Sequence, residues 1–330
     1  MKQLRVGLIG CGGIGFVHAK SWMEQKEKAV LVAIADFDTE KADKIALECG
    51  AAVYKDAHEM MQKEELDVVD ICLPTFLHTD YCIAAMQYVK NIIVEKPVCL
   101  TEQEAQRLLE AQKATGALVQ VAQVARFARP YIYLKEVLDN GRYGRLLTGN
   151  FVRISPKPVW VKDYDNVNRT GGMAVDLHIH DVDYIRYLMG GDPDQVTSTV
   201  RKDADGIVHH IWSTYRYKDA VLMAEGSWAY PLSMPFANTY RVMLEKATII
   251  WDEKKVLTVY PEDGEAFKPQ LEEDVVMDLG INISNFGVFL RELGCFADVI
   301  QKNSDSVVPL SEAISSLRLV KQELAIADKM

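Results

Sequence analysis

The stretch LRVGLIGCGGIG (residues 4–15) decides the fold of the first part of this chain. An apolar run typical of a buried β-strand leads into Gly10-Cys11-Gly12-Gly13-Ile14-Gly15, and a helix-like pattern follows. In that context Gly10 permits a tight turn, Gly12 lets the backbone approach a pyrophosphate, and Gly15 lets the helix pack closely on the strand. The stretch therefore predicts a dinucleotide-binding strand–loop–helix unit, with phosphates at the positive end of the helix dipole.

Short apolar runs continue to alternate with helix-like segments as far as residue 122. The runs lie at residues 30–35, 51–54, 67–73, 91–95 and 118–122. They are rich in β-branched residues and lack an inside–outside alternation, which is typical of strands covered on both faces. We therefore predict an α/β fold for residues 1–122, with the doubly wound parallel sheet of a Rossmann domain.

The pattern changes after residue 123. Strand-like runs follow one another between residues 195 and 260, and two helices close the chain near 284–302 and 311–328. Successive strands without intervening helices favour an antiparallel sheet. Residues 123–330 are therefore predicted to form a second, α+β domain.

Composition excludes several classes of protein. The chain has 330 residues, 49% of them hydrophobic, which argues against disorder and against a small disulfide-stapled fold. A formal net charge of −10 argues against a nucleic-acid-binding face. No apolar run reaches the roughly 18 residues of a membrane span, and we find no targeting segment. Six scattered cysteines without CxxC spacing favour a reduced, cytoplasmic protein.

An acidic residue ends the second strand. Asp36 lies 21 positions after Gly15 and is followed by Phe37 and Asp38 rather than by arginine. A carboxylate at this position accepts hydrogen bonds from the adenosine ribose and repels a 2′-phosphate. The sequence therefore predicts NAD as the cofactor, in preference to NADP.

Further polar residues follow the fourth and fifth strands, whose carboxyl ends face the ligand crevice in an open parallel sheet. A lysine in Glu95-Lys96-Pro97, beside a nicotinamide, can bind a substrate hydroxyl and help to move its proton. The predicted cofactor-binding residues are Gly10, Gly12, Gly13, Ile14, Gly15, Asp36, Phe37, Leu73, Pro74, Thr75, His78, Glu95, Lys96 and Gln123.

A second cluster of polar residues follows Gly171-Gly172. On a helix, Asp176 and His180 are four residues apart and share a face, whereas His178 is about 200° from His180. An aspartate and a histidine on one face form a good acid–base platform. A metal site that also uses Asp183 and a purely structural helix start are the alternatives. The split of the two histidines argues against a metal, and we predict none.

Taken together, these motifs resemble the Gfo/Idh/MocA oxidoreductases, the family of glucose–fructose oxidoreductase and inositol dehydrogenase. The resemblance rests on GCGGIG, Asp36, Pro74-x-x-x-His78, Glu95-Lys96-Pro97 and GG-x-x-x-Asp176-x-x-x-His180-x-x-Asp183. It implies a C-terminal domain with a large open-faced sheet, a homodimer or homotetramer formed through that sheet, and a cis bond before Pro97. It also implies a sugar, cyclitol or related polyol as substrate.

The resemblance assigns catalysis to Lys96, Asp176 and His180. The predicted substrate-binding residues are Lys96, Arg126, Trp160, Asp176, His180 and Asp183. The chain departs from the family at His178, where glycine is common, and this side chain is expected to narrow the pocket or add a polar contact. It also has Ala125 where inositol dehydrogenases carry an arginine, which argues against inositol itself.

Three functions agree with these residues. The first is an NAD(P)-dependent dehydrogenase that oxidises a CH–OH group. The second is a non-catalytic nucleotide or sugar sensor, although regulators of this kind tend to lose the lysine or the histidine, and both are present here. The third is an enzyme that retains its cofactor while oxidising one sugar and reducing another, or a reductase of an unsaturated or imine substrate.

Overall fold

The computed structural model describes residues 2–158, 166–277 and 285–329. Within it the chain forms two compact units. Unit 1 comprises Met1–Phe127 and Glu273–Ile314, and unit 2 comprises Ala128–Glu272 and Ser315–Met330. Each unit has its own sheet, so they are described separately.

Unit 1 begins with regularly alternating strands and helices. In chain order they are β1 (Leu4–Ile9), α1 (Gly13–Glu24), β2 (Ala29–Ala35), α2 (Thr39–Cys49), β3 (Ala52–Tyr54), α3 (Ala57–Lys63), β4 (Val68–Ile71), α4 (His78–Ala85), β5 (Asn91–Glu95), α5 (Glu102–Thr115) and β6 (Leu118–Ala122). All strand pairs are parallel, in the order β3-β2-β1-β4-β5-β6. The predicted doubly wound Rossmann sheet is confirmed.

The remaining elements complete the chain. They are α6 (Arg129–Asp139), β7 (Leu146–Pro156), α7 (Val167–Thr170), a π-helical segment (Ala174–His178), α8 (Ile179–Met189), β8 (Gln195–Lys202), β9 (Val208–Tyr217), β10 (Ala220–Tyr230), β11 (Ala237–Leu244), β12 (Ala247–Trp251), β13 (Leu257–Pro261), α9 (Gly287–Lys302) and α10 (Leu310–Ala327).

Unit 2 contains a seven-stranded sheet in the order β13-β12-β11-β7-β10-β9-β8. Only β7 and β10 pair in parallel, and the other described pairs are antiparallel, which confirms the predicted second architecture. One face of the sheet is buried beneath packed aromatic rings. The other face carries large side chains that are at least 38% exposed, namely Trp212, Val221, Met223, Met243 and Tyr260.

The predicted single boundary at residue 122/123 differs from this division, because a later segment joins unit 1. Helix α9 packs against α1, and the backbone N–H of Val121 in β6 donates to the carbonyl of Val308 at 3.1 Å. The guanidinium of Arg126 also donates to the carbonyl of Val307 at 2.7 Å. Through these contacts, residues nearly 200 positions further along the chain pack beside β6 at the edge of the Rossmann unit.

No helix in the described part of the chain is long and apolar enough to cross a membrane.

Candidate functional site

The glycine loop of unit 1 is packed so tightly that two of its glycines cannot be replaced without movement. A Cβ on Gly15 would lie 1.9 Å from the carbonyl oxygen of Gly10. Gly10 has a φ of +95°, and a Cβ there would lie 2.5 Å from the carbonyl oxygen of Cys72. These contacts hold the start of α1 against the ends of β1 and β4, as the predicted roles of both glycines require.

Gly12 has different surroundings. A Cβ on Gly12 would meet no atom within 4 Å, and the residue is exposed at the start of α1. Gly12 is the N-cap residue of α1, and it has no side chain that could accept the N–H groups at the start of the helix. Open space beside uncapped donors at the positive end of a helix dipole is what a pyrophosphate needs.

The Asp36 carboxylate lies against this loop. It accepts the backbone N–H of Cys11 at 2.6 Å and that of Asp38 at 2.8 Å. The carboxylate is therefore fixed next to the glycine loop, at the position from which it can reach a ribose. The neighbouring Phe37 side chain is 81% exposed and free to lie against a ligand.

The Cys11 thiol inside the loop has no nucleophilic character. Burial, reinforced by the negative charge of Asp36, raises the pKa of Cys11 to about 12. The thiol therefore stays protonated near neutral pH and acts as a small buried hydrophobe.

The turn after β4 places Leu73, Pro74 and Thr75 where each is at least partly exposed. His78 behaves differently, because it is only 1% exposed and its two ring nitrogens lie 2.7 Å from the Leu73 carbonyl and 2.8 Å from the Pro97 carbonyl. Burial lowers the pKa of His78 below its ordinary value. The His78 ring therefore links two loops of the crevice, and direct contact between this ring and the cofactor stays a prediction.

Lys96 follows β5 and is partly exposed, and its peptide bond to Pro97 is cis, as the resemblance implied. At the end of the neighbouring strand β6, Gln123 is 1% exposed, and neither polar atom of its side-chain amide has a hydrogen-bond partner in the structure. An unsatisfied buried amide is costly unless a ligand pairs with it. The open space at Gly12, the fixed Asp36 carboxylate and this amide together fit a bound dinucleotide.

In unit 2, Gly171 in the left-handed conformation ends α7, and the π-helical segment then carries Asp176. Asp176 is partly exposed, and His180 in the first turn of α8 retains 9% exposure. π-Helical turns are rare and are frequent at functional sites. Asp176 is therefore accessible at the surface of this unit, whereas His180, in α8, is almost fully buried.

His178, expected to narrow the pocket or to add a polar contact, lies in the interior of unit 2. The side chain is completely buried, with Nε2 2.9 Å from Glu323 of α10 and 3.3 Å from the Tyr215 hydroxyl. Tyr215 and Ser213 also donate to Glu323, at 2.8 and 3.0 Å. A Cβ on Gly226 would lie 2.8 Å from the Cβ of His178, so β10 needs a glycine there.

Two other predicted substrate-binding residues are also in the interior. Asp183 is fully buried and accepts a hydrogen bond from the Ser316 hydroxyl at 2.9 Å. Arg126 is 4% exposed and donates to the Val307 carbonyl. Both side chains therefore have partners in the interior, and their contact with a substrate stays a prediction. Trp160 lies outside the described residues.

Two buried clusters were missed by the sequence analysis. One joins His178 to Glu323, and the other joins His18 to Asp70 and Glu95. The histidine and its carboxylate partner in each pair are 52 to 145 positions apart in the chain, so no local spacing indicates them. The sequence signal that could have indicated the second cluster is His18, a histidine within the apolar pattern of α1.

A Rossmann unit with an NAD-type loop, followed by a mainly antiparallel sheet unit, defines a two-domain nucleotide-binding protein. Residues 4–123 match the family model described as "Oxidoreductase family, NAD-binding Rossmann fold", and residues 131–250 match the "GFO/IDH/MocA C-terminal domain". The two models of one family span well over half of the chain, so the protein belongs to the Gfo/Idh/MocA oxidoreductase family.

Relatives and solved structures agree with this membership. The chain is 30% identical to myo-inositol 2-dehydrogenase of Thermotoga maritima over 194 residues, 58% of this chain and 57% of that protein. It is 32% identical to scyllo-inositol 2-dehydrogenase (NAD⁺) of Bacillus subtilis over 197 residues, 59% and 56% of the two chains. The aligned part thus spans little more than half of these relatives. A levoglucosan dehydrogenase structure with NADH and levoglucosan has a TM-score of 0.87, at 20% identity over 99% of this chain and 98% of its own, and so shows the same fold.

Proposed function

We propose that this protein is an NAD-dependent dehydrogenase that oxidises a hydroxyl-bearing carbon of a sugar, cyclitol or related polyol. The observation that carries the proposal is a partly exposed Lys96 at the carboxyl end of β5, in the same sheet as the glycine loop after β1. Family membership and the inositol dehydrogenases among the relatives support the class of reaction.

The proposed division of labour follows from the chemistry of the side chains. When bound, NAD⁺ supplies the hydride acceptor. The Lys96 ammonium binds the substrate hydroxyl, His180 takes the hydroxyl proton, and Asp176 orients and tunes these two groups. Loss of that proton from the oxygen and of a hydride from the carbon that bears it leaves a ketone, or a lactone if the carbon is anomeric.

The proposal is tested by incubating the purified protein with NAD⁺ and a panel of cyclitols, aldoses and sugar acids. The readout is the absorbance of reduced nicotinamide. Turnover of one substrate group would establish the activity. If no substrate of the panel is oxidised while calorimetry shows NAD⁺ binding, the proposed function is contradicted. That result would favour a sensor or an enzyme with a retained cofactor.

We also propose that Asp36 makes the protein prefer NAD over NADP. Replacing Asp36 with Asn keeps the side-chain shape but removes the charge that would repel a 2′-phosphate. We expect NADP⁺ binding to strengthen by about tenfold and NAD⁺ binding to weaken, since a hydrogen bond to a charged group contributes ~1.5 kcal/mol or more. Dissociation constants from calorimetry test this. The control is Asp38→Asn, and an unchanged preference in Asp36→Asn would disprove the ribose assignment.

The open face of the unit 2 sheet is proposed to bind a second copy of the chain, giving a homodimer or homotetramer. Exposed apolar side chains from β9, β10, β11 and β13 lie on this face, more than an isolated sheet usually leaves in water. Met223, 45% exposed on β10, lies among them. We expect Met223→Arg to shift the protein to monomer in sedimentation equilibrium. Leu47→Arg, at an 88% exposed position in unit 1, is the control, and an unchanged mass in Met223→Arg argues against this interface.

A further inference from the structure

A buried ionic cluster lies inside unit 1, beneath the end of β5. His18 in α1 is completely buried, with Nδ1 3.0 Å from Asp70 Oδ2 and Nε2 3.2 Å from Glu95 Oε1. Trp22, one turn further along α1, donates its indole N–H to Asp70 Oδ2 at 2.8 Å. The cluster therefore joins α1 to β4 and β5 through side chains alone.

A positive charge on His18 would offset one of the two carboxylate charges in this cluster. Burial alone would lower the pKa of His18, but the Cys72 sulfur and the Asp70 carboxylate outweigh it, so the pKa lies well above the ordinary value. A neutral imidazole could donate from only one nitrogen, whereas both nitrogens of His18 face carboxylate oxygens. An imidazolium that bridges Asp70 and Glu95 satisfies both.

Glu95 connects this cluster to the predicted catalytic lysine. While its Oε1 faces His18, its Oε2 accepts the backbone N–H of Lys96 at 2.9 Å. On the other side of Lys96, the Pro97 carbonyl contacts the buried His78 ring. The backbone at Lys96 is thus held on both sides by buried side chains.

We propose that His18 and Glu95 are positioning residues for Lys96. They fix the lysine-bearing end of β5 to α1, the same helix whose start would hold the cofactor pyrophosphate. One rigid connection would then set the lysine and the cofactor relative to each other. The catalytic role of Lys96 in this inference rests on the proposed function, whereas the contacts of Glu95 with His18 and with the Lys96 backbone do not. Correct placement matters because a misplacement of about 1 Å can cost about a hundredfold in rate.

The test compares Glu95→Gln, which keeps an oxygen for the Lys96 N–H but loses the charge facing His18, with Glu95→Ala, which loses both. We expect kcat to fall in the order wild type, Glu95→Gln, Glu95→Ala, by about a hundredfold for the last. The dissociation constant for NAD⁺ is measured on the same variants, and a loss of NAD⁺ affinity equal to the loss of kcat would assign Glu95 to cofactor binding and overturn the positioning role. Glu48→Gln is the matched control, because Glu48 lies in α2 and pairs with Lys20 of α1 at the surface of the unit.

A second readout needs no substrate. Trace acetic anhydride acetylates accessible amines, and mass spectrometry measures the rate at Lys96 relative to the exposed Lys44 of α2 in the same molecules. We expect Lys96 to react several-fold faster in Glu95→Gln and Glu95→Ala, because the loosened strand end exposes its amine.

Thermal melts followed by circular dichroism establish that each variant is folded.

The outcomes separate the two proposals. An inactive wild type whose Lys96 reactivity nevertheless depends on Glu95 would contradict the proposed function and support the positioning role. An active wild type with unchanged kcat and unchanged Lys96 reactivity in a folded Glu95→Gln protein would overturn the positioning role. If Glu95→Ala does not fold, Glu95→Gln and His18→Gln decide, and normal kcat and Lys96 reactivity in both would also overturn it.

Discussion

Replacing Lys96 with methionine is expected to abolish turnover while leaving NAD⁺ binding nearly intact. Methionine keeps the length and apolar stem of lysine but cannot hold a hydroxyl or pass a proton. General acid–base groups typically contribute about a hundredfold to ten-thousandfold, so kcat should fall by that amount. Steady-state kinetics on the substrate found in the panel, with calorimetric titration of NAD⁺, measure both quantities.

The matched control is Lys90→Met, at the other end of the same strand. Lys90 precedes β5, and its ammonium donates to the Thr115 carbonyl at 2.6 Å, far from the carboxyl ends of the strands. Its replacement should leave kcat unchanged. Equal loss of turnover and NAD⁺ affinity in Lys96→Met would reassign Lys96 to cofactor binding, and full activity would remove it from catalysis.

The sheet of unit 1 follows from local sequence because each of its strands is a short, continuous apolar run. Such runs are buried on both faces only between helices, so strand type, direction and covering were all predictable. The limits of the unit were not predictable in this way. Residues 273–314 return to it through contacts such as Val121 with Val308, and nothing in the spacing of either segment encodes that pairing.

The same distinction between local patterns and contacts of distant segments applies to the candidate site. The close contact of Gly15 is with Gly10, only five positions away, so the local pattern was sufficient to predict it, whereas the roles of Gly10 and Asp36 in cofactor binding stay predictions. The sequence also placed Asp183 and His178 correctly on a helix. It could not show that both turn into the interior, because their partners Ser316 and Glu323 come from α10, more than 130 residues away.

The second large effect concerns Gly12 and Gly15, to which the motif assigns different roles. Gly12→Ala is expected to leave the melting temperature unchanged, because the new Cβ meets no atom within 4 Å and the φ of −67° suits alanine. NAD⁺ affinity should nevertheless fall by about a hundredfold, since the methyl group fills the space that the pyrophosphate needs. Calorimetric titration and a thermal melt of the same sample measure the two effects.

Gly15→Ala is expected to damage the fold as well as the site. Its Cβ would lie 1.9 Å from the Gly10 carbonyl oxygen, so α1 must move away from the loop, and overpacking of this kind costs ~1–3 kcal/mol. That cost outweighs the gain of up to about 1 kcal/mol that alanine brings to a helix interior. We therefore expect both the melting temperature and NAD⁺ affinity to fall. A Gly12→Ala protein with normal affinity would place the pyrophosphate elsewhere, and a Gly15→Ala protein of normal stability would show that the packing of α1 on this loop is not rigid.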